Sequence, residues 1–408
     1  MNRENSKYRH SGAASGETGS DNRRKNSVFV KPANAVRVKA GIDRPMLVIV
    51  VLLLCFGSIM VFSASFAYAL SKHGDSYFYI KKQLVFVGVG IVIMLIASTI
   101  DYRVMRRFVL PFFFAMLVVQ ILVPIYGMAA GVAKRWVQIG GFRFQPSELM
   151  KTALIMFLAH YIATYQDKIT DYKDFKTSSI WGDLIPSGII LFVCAEMALQ
   201  SHLSGMIIMF LIGIVVLFAG GARKFWFFAA GGVLAVGGGV FLLVSSYAAK
   251  RIQMWLHPEN FSLLDDTWQS VQGVYAIGSG GLWGVGLGNS IQKYSYVSEP
   301  QNDFIFSIIC EELGFIGAIA VIALFILFTW RGIVIAMRAP DTFSSLTVLG
   351  IVFKVTLQAI LNIGVVSGLL PNTGITLPFF SYGGTALMVL LGEMGIVLSI
   401  SRYSLQEK

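Results

Sequence analysis

Residues 299–329 read EPQNDFIFSIICEELGFIGAIAVIALFILFT. Five polar or turn-forming residues give way at Phe304 to an almost wholly apolar run that lasts to Thr329. A bilayer core takes about 20 apolar residues as a helix, so the run predicts a membrane span with an acid, Asp303, at its water-facing mouth. Two readings of that acid stand side by side. As a helix N-cap its carboxylate accepts backbone N–H bonds and is favoured by the helix dipole. As a base it meets soluble substrate at the membrane surface, and there capping lowers its pKa while partial burial raises it.

The pattern recurs outward from this stretch. Of 408 residues 55% are hydrophobic and only 13% charged, against about 25% charged in a soluble chain. The hydropathy predicts an all-α, polytopic membrane protein with ten spans: Pro45–Ala69, Gln83–Ile100, Phe108–Tyr126, Ser147–Thr164, Leu184–Leu199, Leu203–Ala219, Phe225–Ser246, Phe304–Thr329, Ser345–Leu370 and Ile375–Ile400. Residues 1–43 hold few hydrophobes and read as a disordered basic tail able to touch anionic lipid. Residues 44–402 are the membrane domain and 403–408 a short C-terminal tail. No cleavable signal peptide is visible before Pro45.

Ten spans place both termini on one side. The basic tail, Arg103, Arg106, Arg107, Arg223, Lys224, Arg331, Arg338, Arg402 and Lys408 then share that side, which the positive-inside rule makes the cytoplasm. The outer side receives residues 69–82, 127–146, the turn near Gln200, the large 247–302 loop between spans seven and eight, and 371–374. The net charge of +11 is accounted for by this bias and does not imply nucleic acid. Cys55, Cys194 and Cys310 lie in apolar runs without metal-ligand spacing and read as buried hydrophobes. With no helical pair among the histidines, His202 included, a zinc site is not expected. No internal repeat is evident, and one helix break, Pro371–Pro378, stands without a partner, which weighs against a transporter.

Chemistry-bearing residues outside Asp303 fall into groups. Residues 134–148, KRWVQIGGFRFQPSE, put Lys134, Arg135 and Arg143 on the outer side, against the positive-inside bias, where such cations clamp phosphates. The plainer alternative is an aromatic belt with snorkelling cations. Pro146–Ser147 marks a helix start, and Glu148 and Lys151 form an i,i+3 pair. The glycines at 278, 280, 281, 284, 286 and 288 lack the strand that a dinucleotide fingerprint requires. They read as a re-entrant or surface loop, or as close backbone approach to a sugar or phosphate. Inside the spans lie Glu196, Glu311, Glu312, Lys354 and Glu393. Buried charges are usually paired, for instance Lys354 with one of the glutamates; the other reading is a proton or ion path.

Four segments carry a resemblance across about Pro45–Ser401: KRWVQIGGFRFQPSE at 134–148, GLGNSIQKYSY at 286–296, EPQNDFIFSIICEELG at 299–314 and SGLLPNTGITLPFFSYGGTA at 367–386. Together they resemble the SEDS family (shape, elongation, division and sporulation), in its cell-division type or the sporulation relative. The resemblance implies a peptidoglycan glycosyltransferase that joins lipid II into a growing glycan strand at the septum. It implies inverting transfer, undecaprenyl pyrophosphate as leaving group, and Asp303 as the essential acid. The motif matches extend the site to Lys134, Arg135, Trp136, Arg143, Gln145, Ser147, Asn289, Gln292, Lys293, Glu299, Gln301 and Ser381 as substrate or pyrophosphate contacts. They also mark Glu148 and Lys151 as a structural pair.

Residue chemistry agrees with that reading. A hydroxyl nucleophile needs a base, and a departing pyrophosphate needs cations or a divalent metal, Mg²⁺ or Mn²⁺; no nucleotide cofactor is implied. Two departures stand out: Gln301-Asn302 replaces the family's frequent His-Thr, and Gln200-Ser201-His202-Leu203-Ser204 replaces an acid-bearing outer turn. The implied partners are a single-pass class B penicillin-binding protein (a transpeptidase), other division proteins and membrane lipid, in the plasma membrane. Competing functions are a lipid II flippase using Glu196, Lys354 and Glu393, and a non-catalytic division scaffold.

Overall fold

The structure is a computed structural model, and it describes residues 35–37, 41–126, 128–130, 133–139, 142–171, 174–200, 203–223, 232, 246–261 and 267–407. The elements run β1 (Ala35–Arg37), α1 (Arg44–His73), α2 (Phe78–Thr99), α3 (Tyr102–Arg107), α4 (Val109–Tyr126), β2 (Met128–Ala130), β3 (Ala133–Ile139), β4 (Phe142–Phe144), α5 (Pro146–Ile169), α6 (Phe175–Ser179), a π turn at Ile180–Leu184, α7 (Ile185–Leu199), α8 (Leu203–Ala219), α9 (Ser246–Leu256), a 3₁₀ turn at Pro258–Asn260, α10 (Trp268–Ser279), α11 (Ile305–Met337), α12 (Thr342–Val366), α13 (Gly384–Ser401) and β5 (Leu405–Glu407).

Local sequence explains the ends. Asp43 caps α1 by accepting from Met46 N at 2.9 Å, with Pro45 in the first turn where its missing N–H costs nothing. Gly74 ends the helix in the left-handed region (φ 70), its N–H returning to Leu70 O. Asp341 and Ser344 form a reciprocal capping box on α12.

Six helical stretches among the described residues are long and apolar enough to cross a membrane: Arg44–His73, Phe78–Thr99, Phe175–Leu199, Ile305–Met337, Thr342–Val366 and Gly384–Ser401. Val109–Pro124 and Ser204–Ala219 are shorter apolar helices. The expected seventh span, Phe225–Ser246, lies outside the described residues except Gly232 and Ser246. Helix α5 is long but less apolar, and its position explains why. It packs against α4, α8 and α12, and every residue from Lys151 to Ala159 is buried. A helix screened from lipid by protein tolerates polar side chains.

Two expectations are corrected. The final helix starts at Gly384 rather than Ile375. Pro371 and Pro378 donate no N–H and Phe379 sits at φ 67, so residues 371–383 form an irregular, largely buried loop. The outer segment 127–146 was expected as a loop but carries a three-stranded antiparallel sheet, β2-β3-β4, with Gln138 opposite Arg143 and Val137 opposite Phe144. The segments read as terminal tails also meet: β1 pairs antiparallel with β5, Val36 opposite Gln406.

The buried charges differ in how they are met. Lys354 of α12 lies 2.5 Å from Glu393 of α13, which also accepts from the Thr152 hydroxyl of α5. Lys151 lies 2.7 Å from Glu148. Glu196 of α7 is buried, and both its carboxylate oxygens lack a partner among the described residues. Removing one partner of a buried pair strands the other charge, whereas replacing both with apolar groups is often neutral. Lys354→Met alone is therefore expected to destabilise by about 3–5 kcal/mol, and Lys354→Met with Glu393→Leu to recover most of it, read by unfolding in detergent.

Candidate active site

Asp303 lies in the turn 300–304, one residue before the residue that occupies the cap position of α11. The helix begins at Ile305 with Phe304 at the cap and no side-chain cap hydrogen bond. Of the two readings of Asp303, the N-cap position goes to its neighbour Phe304. Its carboxylate is free of the helix, half-buried, and turned toward the 371–383 loop: a Cβ placed on Gly374 (φ 66) would stand 3.7 Å from Asp303 Oδ2. A Cβ at that distance makes only an ordinary contact, so it is the left-handed backbone at Gly374 that favours glycine.

Asn362 of α12 fixes the juxtaposition. Its Nδ2 donates to Asp303 O and to Ile375 O, both at 2.7 Å, joining the acid's turn to the loop. Tyr382 N donates to Gln301 O at 2.8 Å, and the Ser204 hydroxyl of α8 donates to Thr373 O. Two hairpin turns are thereby clasped face to face around the Asp303 carboxylate.

Burial pushes the Asp303 carboxyl up to about 6, with the charge of Glu299 adding to the rise; its own N–H and Arg251 oppose it. Glu299 sits at φ 47, a left-handed conformation that is strained for a side-chain-bearing residue. It accepts from Tyr68 Oη at 3.2 Å and from Asn302 Nδ2 at 2.7 Å, and Lys72 of α1 lies 3.8 Å away. Around the acid, Gln301 Oε1, Ser307 Oγ, Asn362 Oδ1 and Thr373 Oγ1 are buried and make no hydrogen bond to the described residues. Buried polar atoms are ordinarily paired, and these four leave hydrogen-bonding capacity unused on the acid's turn, its helix, α12 and the loop that faces it.

The segment leading to the acid is gripped from α11. Glu311 accepts from Ile291 N at 2.9 Å and from the Ser290 hydroxyl; Glu312 lies 2.9 Å from Lys293 Nζ and accepts from Ser63 Oγ of α1. Lys293 Nζ also donates to Gly288 O at 2.6 Å. Two adjacent buried glutamates thus hold residues 288–293 through backbone N–H groups, one lysine and one serine, and tie them to Ser63 of α1.

A cavity of about 610 Å³ opens beside this clasp, between α9, α10 and the end of α12. Lys250 and Arg251 supply its charge, and Met254, Trp255, Val274 and Leu370 are among its apolar lining. Arg251 Nη1 donates to Asn372 O at 2.7 Å, which ties the cationic wall to the loop facing Asp303.

The remaining residues singled out in the sequence scatter. Lys293 is buried on Glu312, and Ser381 is buried with its Oγ accepting from Leu377 N at 2.8 Å, holding the turn. Gln301 is buried, and Gln292 is half-buried with an unpartnered Oε1. Asn289 is exposed and donates to Val285 O at 3.3 Å. Ser147 is buried with no partner among the described residues, and Gln145 and Trp136 are half-buried. Lys134 and Arg135 lie on β3 and Arg143 on β4; their side chains are outside what the structure describes. Strand β4 packs on α13, the helix that follows the loop facing Asp303. Sequence reading missed Arg251, Asn362 and Thr373. Asn362 did leave a signal, an amide within the apolar run LQAILNIGVV.

Comparison with known proteins places this geometry in a lineage. The family model FtsW/RodA/SpoVE, described as cell cycle protein, matches residues 44–406. Stage V sporulation protein E of Bacillus subtilis (strain 168) is 40% identical over 371 residues, covering 90% of this chain and 98% of that protein. A probable peptidoglycan glycosyltransferase FtsW of Trichlorobacter lovleyi is 39% identical over 366 residues, covering 88% and 93%. Among solved structures, one titled as a peptidoglycan synthase complex that coordinates polymerization and crosslinking aligns with TM-score 0.73 at 24% identity, over 88% of this chain and 98% of that one. The rod shape determining protein RodA of Thermus thermophilus aligns with TM-score 0.65 at 25% identity, over 88% and 97%. The acid's turn, the loop that faces it and the helices that carry both lie inside the matched region, and the chain belongs to the FtsW/RodA/SpoVE family of cell cycle proteins.

Proposed function

We propose that the protein is a peptidoglycan glycosyltransferase of cell division that polymerises lipid II, with Asp303 as general base. The relatives' names support the activity. The observation that carries the role of Asp303 is its setting: a half-buried carboxyl raised to about 6, facing Gly374 among buried polar atoms without partners. A carboxylate of that basicity is ionised at neutral pH and basic enough to take a hydroxyl proton. In the reaction the acceptor's 4-hydroxyl oxygen bonds to the donor's anomeric carbon as the C–O bond to pyrophosphate breaks. The hydroxyl proton passes to Asp303, and the electron pair leaves with undecaprenyl pyrophosphate.

Arg251 and Lys250 supply positive charge where the cavity meets the clasp, and the apolar wall suits a prenyl chain. Lys134, Arg135 and Arg143 stand as further candidates from the β sheet. Among the described residues no cluster of three His, Cys, Asp or Glu exists. Mg²⁺ commonly binds through one or two carboxylates plus substrate phosphates. A cation that arrives with the pyrophosphate, held by its phosphates, would stabilise the leaving charge and leave the Asp303 carboxylate available as the base.

Nine of the ten expected spans overlap helices among the described residues, the last of them only from Gly384, which supports the ten-span topology. The β1–β5 pairing, the hydrogen bond from Asp43 N to Ser401 Oγ and the Arg331–Asp43 contact at 2.6 Å bring the segments flanking residues 44–402 together. That supports both termini on the cytoplasmic side, opposite Asp303. A class B penicillin-binding protein is the expected partner, since one structural neighbour is a peptidoglycan synthase complex that coordinates polymerization and crosslinking. The septum is the expected location.

Purified protein in nanodiscs is expected to convert lipid II to long glycan strands, with yield rising when the transpeptidase is added. Transbilayer movement of lipid II without polymer, under both conditions, would favour a flippase instead. Arg251→Ala is expected to lower polymerisation by about 10²-fold, within the range for losing a cation at a developing negative charge, read by gel separation of strands.

A further inference from the structure

The fifteen residues from Gly278 to Gln292, GSGGLWGVGLGNSIQ, carry no charge. Their large side chains point outward: Trp283 is 80% exposed, Leu282 64%, Ile291 63% and Leu287 54%. This is a contiguous apolar surface on a segment flanked by the polar 293–302 turn. Surfaces of this kind mark contact with a partner or a membrane.

The backbone sets the depth at which the segment lies. Phe315 N donates to Gly281 O at 2.9 Å and Ile316 N to Leu282 O at 3.3 Å, while Val285 N and Gly286 N donate to Glu311 O and Glu312 O at 3.0 Å each. Gly314, at φ 65, interrupts α11 at this level, and a Cβ there would meet Gly284 N at 2.3 Å. The break divides the helix. Beyond it, Phe315–Met337 rises about 34 Å at 1.5 Å per residue, close to the roughly 30 Å of a hydrocarbon core. Phe315, Ile316 and Ile319 begin the outward-facing apolar side of that span. The segment before the break, Ile305–Leu313, is a further helical piece about 13 Å long.

We propose that residues 280–291 form an arm lying in the interfacial layer of the outer leaflet, with the lipid bilayer as its occupant. Three observations select lipid: the absence of charge, continuity with the outward apolar face of α11, and pinning at the level where the span begins. Tryptophan favours this layer because its ring is apolar and its N–H can meet water or headgroups. The arm then acts as a depth gauge. Through Glu311, Glu312 and the short helix before the break, it fixes the Asp303 turn relative to the hydrocarbon boundary.

The test uses full-length protein in nanodiscs of phosphatidylglycerol and phosphatidylethanolamine, without partner. Nitroxides are placed by Trp283→Cys, Leu287→Cys, Ile319→Cys and Ser298→Cys, with exposed Cys55 replaced. Collision with oxygen and with a water-soluble nickel chelate is then measured. Labels at 283 and 287 are expected to favour oxygen over nickel by about threefold or more relative to 298, as at 319, because oxygen partitions into lipid and the chelate does not. Nickel access at 283 and 287 equal to that at 298 would overturn the proposal and leave a water-facing surface for a protein partner. In unmodified protein, hydroxyl-radical oxidation of Trp283 is expected to be at least about fivefold slower in nanodiscs than in the denatured chain, as burial in the interface requires. Equal rates, as for a water-exposed tryptophan, would also overturn it.

Discussion

Asp303→Asn protein, supplied with lipid II, is expected to fold normally and to polymerise about 10²–10⁴-fold more slowly than wild type, the range for loss of a general base. The substitution keeps shape and hydrogen-bonding capacity and removes the proton acceptor. Stability separates this loss from misfolding. The folded-state pKa of Asp303 is raised, from 3.8 to about 6. The associated stability is fully present below pH 4 and is lost as pH rises through about 6, so ionised Asp303 burdens the fold at neutral pH. Asparagine removes that burden, and thermal unfolding at pH 7.5 is expected at the wild-type temperature or above. Activity lost together with several degrees of stability would point to a structural acid. Normal polymer from the variant would remove Asp303 from the chemistry.

Glu312→Ala is expected to have the largest effect on the fold around the site. Lys293 is buried beside it, 2.9 Å from the carboxylate, and would be left as an uncompensated charge. Such a loss costs about 3–5 kcal/mol, and the Ser63 hydroxyl loses its acceptor as well. Unfolding in detergent and protease cleavage within 280–302 read the two consequences, global destabilisation and release of the segment. Adding Lys293→Met to Glu312→Ala is expected to restore most of the stability, since no buried charge then stands alone. If the double variant is no better than the single, the interaction is not the source of the loss.

The extent to which the sequence was legible follows from the range of each interaction. Long apolar runs reveal their helices because hydration cost is local, and α1, α11 and α12 lie where hydropathy puts them. Asp303 was legible for the same reason, as an acid at the edge of such a run. The start of α13 was not: Ile375 is as apolar as a helix residue, but Pro378 and the left-handed Phe379 close off helix for the residues before Gly384. The sheet at 128–144 was missed because its strands are three to seven residues long.

Within the site the illegible parts are all long-range. Asn362 reaches Asp303 across 59 residues of sequence, and Arg251 reaches Asn372 across 121. Lys293 shows the converse. The motif match at 286–296 implied a ligand contact, yet folding brings it onto Glu312, 19 residues away. No periodicity encodes such meetings.

The pH dependence of lipid II polymerisation tests the central claim most directly. With kcat/KM measured from pH 4.5 to 8.5 in nanodiscs, the rate is expected to rise through an acid limb near pH 6, where Asp303 loses its proton. Glu299→Gln, which removes the neighbouring negative charge that raises this pKa, is expected to move the limb to lower pH. The residual activity of Asp303→Asn is expected to lack the limb altogether. A limb near pH 6 that persists unchanged in Asp303→Asn would contradict the assignment of Asp303 as the base.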